Sequence, residues 1–116
     1  MLKQSGRLSR NQAGWLLKKG DKFSNEFFSI KFRLNKKPFC RYSVVVSKKL
    51  LKLATDRNLL RRQLYEILRQ RTASPESFDF SILVRPAVLK LDFAAKREKL
   101  LSTLNQISST SAPQNG

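Results

Sequence analysis

The densest set of side chains with a chemical use is Ser47-Lys48-Lys49, followed by Lys52, then Arg57-Asn58 and Arg61-Arg62, with Arg69 further along the same stretch. Lysine supplies a compact point charge and arginine a planar fork that takes two phosphate oxygens at once, so a loop and helix carrying both can grip a folded RNA backbone. Each phosphate neutralised releases counterions, and affinity then falls with salt at a log-log slope of about −0.9 per contact on a duplex. The plainer reading is a solvated basic helix face. Against it, residues 57–71 contain only Glu66 as an acid, so the arginines have little within the helix to neutralise them.

A second set lies upstream. Ser29, Lys31 and Arg33 alternate along one strand, beside Ser43, Val45 and Ser47 on another, and a first helix can border them with Trp15 or Leu17. Cations and aromatics over a sheet make a groove for single-stranded nucleic acid, through stacking and backbone contacts. The alternative for Trp15 and Leu17 is that they are simply core, and the sequence leaves both readings open.

Several chemistries drop out on residue types. The chain has no His, which removes imidazole bases, Ser-His and Cys-His dyads and the common zinc sites. Cys40 is the only cysteine, so no internal disulfide can form; that suits a reducing cytoplasmic setting, and its apolar flanks suit a packed thiol. The 8 Asp+Glu are scattered, with no pair spaced for a two-metal site. Asp79, between Phe78 and Phe80, fits a carboxylate that caps a turn or balances charge. If the protein serves a reaction, a partner does the chemistry.

The charge says which partner. With 24 Lys+Arg the net charge is +16, and 41% of the 116 residues are hydrophobic, so the charge is carried by something that folds rather than by a basic tail. A polyanion is the expected partner. No apolar run approaches the roughly 20 residues of a membrane span, and the N-terminus shows no apolar signal-peptide region. A cytoplasmic protein without a membrane partner is the expectation.

These residues need elements to hold them. Ser9 and Gln12 have the capping-box spacing, which predicts a helix over 10–19, stopped by Gly20 in a left-handed conformation. Period-two alternation predicts strands over 25–34 and 41–47, paired as a hairpin around Asn35-Lys36-Lys37-Pro38. From 56 to 71 the period becomes 3.6. Leu60, Leu64, Ile67 and Leu68 share one stripe, and Arg57, Asn58, Arg61, Arg62, Tyr65 and Arg69 an adjoining arc of roughly 140°. A loop over 72–77, a third strand over 78–85 and a last helix capped by Asp92 and running to Ile107 complete the fold. Residues 1–107 form one domain on this reading, and 108–116 a disordered polar tail.

Taken in order, these pieces resemble the protein component of bacterial ribonuclease P. Val44-Val45-Val46-Ser47-Lys48-Lys49 and Ala54-Thr55-Asp56-Arg57-Asn58-Leu59-Leu60-Arg61-Arg62 are similar to that family's SKK segment and arginine-asparagine helix motif. Asp79-Phe80-Ser81-Ile82-Leu83-Val84-Arg85-Pro86 resembles its late strand, and Gly6-Arg7-Leu8 and Leu17-Lys18-Lys19-Gly20 its N-terminal pattern. The resemblance implies an α+β, ribosomal-protein-like two-layer domain of order αβββαβα, with a central four-stranded sheet packed against helices. It implies two partners, the ribonuclease P RNA subunit and precursor tRNA, and places the chemistry in that RNA with Mg2+ held mainly there. Carried onto this chain, Lys48, Lys49, Lys52, Arg57, Asn58, Arg61, Arg62 and Arg69 meet the RNA subunit. Trp15, Leu17, Ser29, Lys31, Arg33 and Ser47 meet the 5′ leader of precursor tRNA. Leu59 and Tyr65 stand where the family has further basic residues, and Ala13 and Leu17 where it favours phenylalanines.

Two other classes share the charge: a ribosomal or other structural RNA-binding protein, and a DNA-binding regulator. A helix-turn-helix regulator needs two helices joined by a short turn, whereas the arginine helix here is flanked by strands, so DNA is not the expected partner.

Overall fold

The alternation of Phe28, Ile30 and Phe32 with Ser29, Lys31 and Arg33 makes strand β2 (Phe28–Leu34), whose apolar side is buried and whose polar side is half-buried to exposed. The computed structural model describes residues 7–35, 39–70 and 77–114, except the side chains of Arg10 and 108–114. Around β2 are helix α1 (Arg10–Lys19), strand β1 (Asp21–Ser24), strand β3 (Arg41–Val45), helix α2 (Ala54–Arg69), strand β4 (Phe78–Val84), a short 3-10 helix (Pro86–Lys90) and helix α3 (Phe93–Gln114). This is the expected αβββαβα order.

The sheet runs β1-β2-β4-β3. β2 pairs antiparallel with β1 and β4, and β3 pairs parallel with β4. Two expectations are corrected here. The strand expected over 25–34 begins only at Phe28, because Asn25 turns the chain: its side-chain oxygen accepts from the Phe27 and Phe28 amides, both at 2.9 Å. That turn joins β2 to β1, which the residue patterns alone did not predict. The strands over 28–34 and 41–45 do not form a hairpin either, since β4 lies between them. β4 is the strand most able to take two neighbours, with Phe78, Phe80, Ile82 and Val84 buried on one side and Ser81 buried on the other. Its parallel pairing with β3 needs a long crossover, which α2 provides. Lys36, Lys37 and Pro38 of the expected turn, and most of the 72–77 loop, lie outside the described residues.

One face of the sheet carries the core. Phe28, Ile30, Phe32, Tyr42, Val44, Phe78, Phe80, Ile82 and Val84 pack with Leu60, Leu64, Ile67 and Leu68 of α2 and Leu100, Leu104 and Ile107 of α3. Tyr42 stacks on Phe80 with centroids 5.6 Å apart, and Cys40 packs at the margin, where its sulfur accepts from the Phe78 amide. The helix ends follow their caps. Ser9 and Gln12 make both capping-box bonds, at 2.9 and 3.1 Å, and the Asp92 carboxylate accepts from the Ala95 amide at 2.8 Å. The backbone of α3 continues to Gln114, past the Ile107 at which the sequence ended it, since Ser and Thr tolerate a helix that nothing before Pro113 breaks.

Gly20 ends α1 for a different reason from the one expected. Its φ is −77°, open to any residue, but a Cβ there would lie 2.7 Å from the Leu16 carbonyl oxygen and 3.1 Å from that of Phe32. The glycine is needed because two backbones approach closely, and α1 is thereby held against β2.

Candidate nucleic-acid interface

α1 lies across the polar face of the sheet, against β2 and β4. Leu16 is its anchor, 1% exposed, and Ser81 is buried although it sits on the polar side of β4. Trp15 and Leu17, one residue either side of the anchor, are 51% and 53% exposed, so neither is core. At about 100° per residue they lie on opposite flanks of the helix. The sheet registers define what each flank overlooks. Arg33, Asp79 and Arg41 form one row across the strands; Lys31, Ser81 and Ser43 form the next; Ser29, Leu83 and Val45 form the third.

Trp15 stands over the first row, with the Arg33 guanidinium 4.8 Å from its ring centroid. Leu17 falls on the flank of the third row, where Leu83 and Val45 are also partly exposed. Val45 leads directly into the Ser47-Lys48-Lys49 turn, where Ser47 accepts from the Leu50 amide through both its carbonyl and its hydroxyl, at 3.1 and 3.3 Å. The six residues expected to share one leader groove are thus divided by α1. Leu17, Ser29 and Ser47 fall on one side, Trp15 and Arg33 on the other, and Lys31 lies half-buried in the row between.

The basic loop and α2 are one continuous surface, but its cations are not equivalent. Arg57 sits at the angle of the apolar stripe, one turn ahead of the core, and its Nη1 donates to the carbonyls of Leu51 and Lys52 at 2.9 and 2.8 Å. It ties the loop to the helix. Arg61 donates to the neutral Asn58 side chain and keeps its charge. Arg69 is paired with Glu66, and this pairing is the main cause that holds the Glu66 carboxyl down at about 2. Lys48, Lys49, Lys52 and Arg62 form no ion pair with any described residue, and Lys48, Lys49, Lys52 and Arg62 are exposed. Tyr65, grouped by angle with the arginines, is buried instead. Its hydroxyl accepts from the Val44 amide at 3.1 Å, with Arg7 stacked 4.6 Å from its ring centroid. Tyr65 joins α2 to β3, and Leu59 beside the motif is 53% exposed.

Sequence reasoning passed over Arg41. It donates through Nε and Nη2 to the two oxygens of Asp79, at 2.9 and 2.7 Å, and the Asn35 side chain donates to the same carboxylate at 2.7 Å. Asp79 therefore balances charge, as expected, and those hydrogen bonds raise the arginine's affinity for its proton. Nothing in the sequence marks Arg41 except its register opposite Asp79. Among the described residues no three of Cys, Asp and Glu converge as metal ligands. No helix among them is long and apolar enough to cross a membrane.

A four-stranded mixed sheet, a parallel crossover through an arginine-rich helix and a cationic surface running from loop to helix define a basic α+β RNA-binding protein. The chain belongs to the ribonuclease P protein family, whose model, described as Ribonuclease P, matches residues 2–108. The ribonuclease P protein component of Thermotoga maritima is 36% identical over 97 residues, covering 79% of this chain and 82% of that one. That of Legionella pneumophila (strain Lens) is 32% identical over 102 residues, with 88% of each chain covered. The solved ribonuclease P protein from Thermotoga maritima superposes with a TM-score of 0.78 at 34% identity, covering 87% of this chain and 96% of that chain.

Proposed function

We propose that this chain assists removal of the 5′ leader from precursor tRNA, as the protein subunit of a cytoplasmic ribonuclease P whose RNA subunit carries out the cleavage with bound magnesium. The observation that carries this reading is the surface over Lys48, Lys49, Lys52, Arg61 and Arg62, whose cations have no acidic partner among the described residues. Its role is to hold the RNA subunit. Arg57 and Ser47 act by shaping the loop that presents the lysines.

The leader runs along the Leu17 flank of α1. On that side the Ser29, Leu83 and Val45 row of the sheet is partly apolar and exposed, and the chain continues from Val45 at the end of β3 to Ser47 and Lys48, so a strand lying there passes from an apolar floor to the RNA-binding loop. With Leu17 offering apolar contact but no aromatic stacking, backbone contacts dominate, and these read little sequence. The protein positions the substrate; its own side chains move no proton and hold no metal in this scheme.

The test is reconstitution. Purified protein free of RNA leaves precursor tRNA uncut, while protein added to the RNA subunit in magnesium raises cleavage and favours precursor over mature tRNA. Site-specific cleavage by the protein alone would sink the proposal, as would equal affinity for precursor and mature tRNA in the assembled enzyme.

A further inference from the structure

The flank of α1 away from the leader trough holds a cleft of about 270 Å3, lined by Asn11, Gln12, Trp15, Arg41 and Asp79. It sits over the Arg33-Asp79-Arg41 row, at the opposite end of the strands from the Ser47 turn. We infer that this cleft takes one unpaired nucleobase of a bound RNA, stacked on Trp15, as a second single-strand site separate from the leader trough. The inference rests on the RNA-binding reading above and adds to it a ligand class and a place.

Four features converge. The indole is half exposed although it lies against a folded sheet, so much of its aromatic surface is open to a ligand. The Arg33 guanidinium lies over the same indole that lines the cleft, 4.8 Å from its ring centroid. A cation held there also fixes the ring's orientation, which lowers the entropy lost when a base stacks. The cleft is open to solvent on one side, and its volume of about 270 Å3 has room for one ring system.

The rim supplies groups for a base edge. Asp79 is already engaged by Arg41 and Asn35, and Gln12 Oε1 accepts from the Ser9 amide, so these acceptors are committed. The Gln12 side-chain amide nitrogen, the remaining Arg41 nitrogen and the Asn11 carboxamide remain as groups able to meet the base. Lys18, Lys19 and Lys22 on the adjoining α1 and β1 keep the local charge suited to the phosphates that flank such a base. Stacking tolerates any base because every base has a π-face, so the site anchors RNA more than it reads it.

Trp15 is the only tryptophan in the chain, so its fluorescence reports this one place. The full-length protein is titrated with a short single-stranded oligoadenylate, with precursor tRNA, with mature tRNA and with the RNA subunit, while affinity is measured in parallel by filter binding. The expected result is saturable quenching by the oligonucleotide. Quenching by the RNA subunit, or by mature as well as precursor tRNA, supports the separate site, whereas quenching by precursor tRNA alone would mean that the leader itself crosses Trp15 and overturns it. Trp15→Phe keeps oligonucleotide affinity within a few-fold, and Trp15→Ala lowers it about ten-fold or more. Full RNA affinity with unquenched Trp15 overturns the stacking site and leaves the RNA-binding reading standing. Failure of the unaltered protein to bind any of these RNAs overturns that reading itself.

Discussion

Removing Arg61 and Arg62 together, as Arg61→Ala with Arg62→Ala, isolates the charge of α2 from its packing, because both side chains lie off the apolar stripe of Leu60, Leu64, Ile67 and Leu68. The structure says which cations count. Arg69 is neutralised by Glu66, and Arg57 is turned toward the Leu51 and Lys52 carbonyls, which leaves Lys48, Lys49, Lys52, Arg61 and Arg62 for phosphates. Five contacts give a log-log salt slope of about −4.5 on duplex RNA, so affinity for the RNA subunit falls about 500-fold between 50 and 200 mM salt. The double variant loses two of them, the slope becomes about −2.7, and the same change of salt costs only about 40-fold. Filter binding to the RNA subunit over that range at constant magnesium measures both slopes. An unchanged slope in a variant with unaltered circular dichroism would mean that this face is merely solvated and that the loop lysines act alone.

The Glu66 pair gives the opposite perturbation: Glu66→Gln frees Arg69, so affinity rises and the slope steepens by up to about one contact. Because Glu66 is held at about 2, below its ordinary 4.5, the pair's small contribution is complete above about pH 4.5 and is lost as pH falls toward 2; unfolding midpoints for the two proteins should therefore keep a constant difference from pH 8 to 5 and converge in acid. Tyr65→Phe leaves the buried Val44 amide without its acceptor, which costs about 1–3 kcal/mol and lowers the thermal midpoint by several degrees while leaving the salt slope unchanged; a shifted slope would return Tyr65 to the RNA surface. Gly20→Ala drives a Cβ against the Leu16 carbonyl and destabilises the fold by about 1–3 kcal/mol by denaturant titration, whereas a neutral result would mean that α1 lifts from β2 without cost.

Much of the scaffold was determined locally and could be read from the chain. The capping box of Ser9 and Gln12, the Asp92 cap, the 3.6 period of Leu60, Leu64, Ile67 and Leu68 and the alternation of β2 all depend on residues within a turn or two of each other. The positive face of β2 followed from the same alternation, because a strand that buries Phe28, Ile30 and Phe32 must turn Ser29, Lys31 and Arg33 the other way. The order of the motifs also carried the family.

Tertiary structure decided the rest, because pairing between distant segments leaves little trace in either one. Two alternating strands a few residues apart read as a hairpin until β4, arriving some 40 positions later, is seen to offer both of its edges and a more apolar face. The fate of Trp15 and Leu17 was undetermined for the same reason: only the docking of α1 through Leu16 and the close approach at Gly20 leave both exposed, and place them on opposite flanks. Helical angle grouped Tyr65 with the arginines, but angle does not include β3, whose Val44 amide needs the tyrosine's oxygen. Composition set the total charge at +16; which cations are already engaged was decided by the fold, where Arg41 and Arg69 meet carboxylates and Arg57 donates to carbonyls, since a donor given to one of these is less available to another partner.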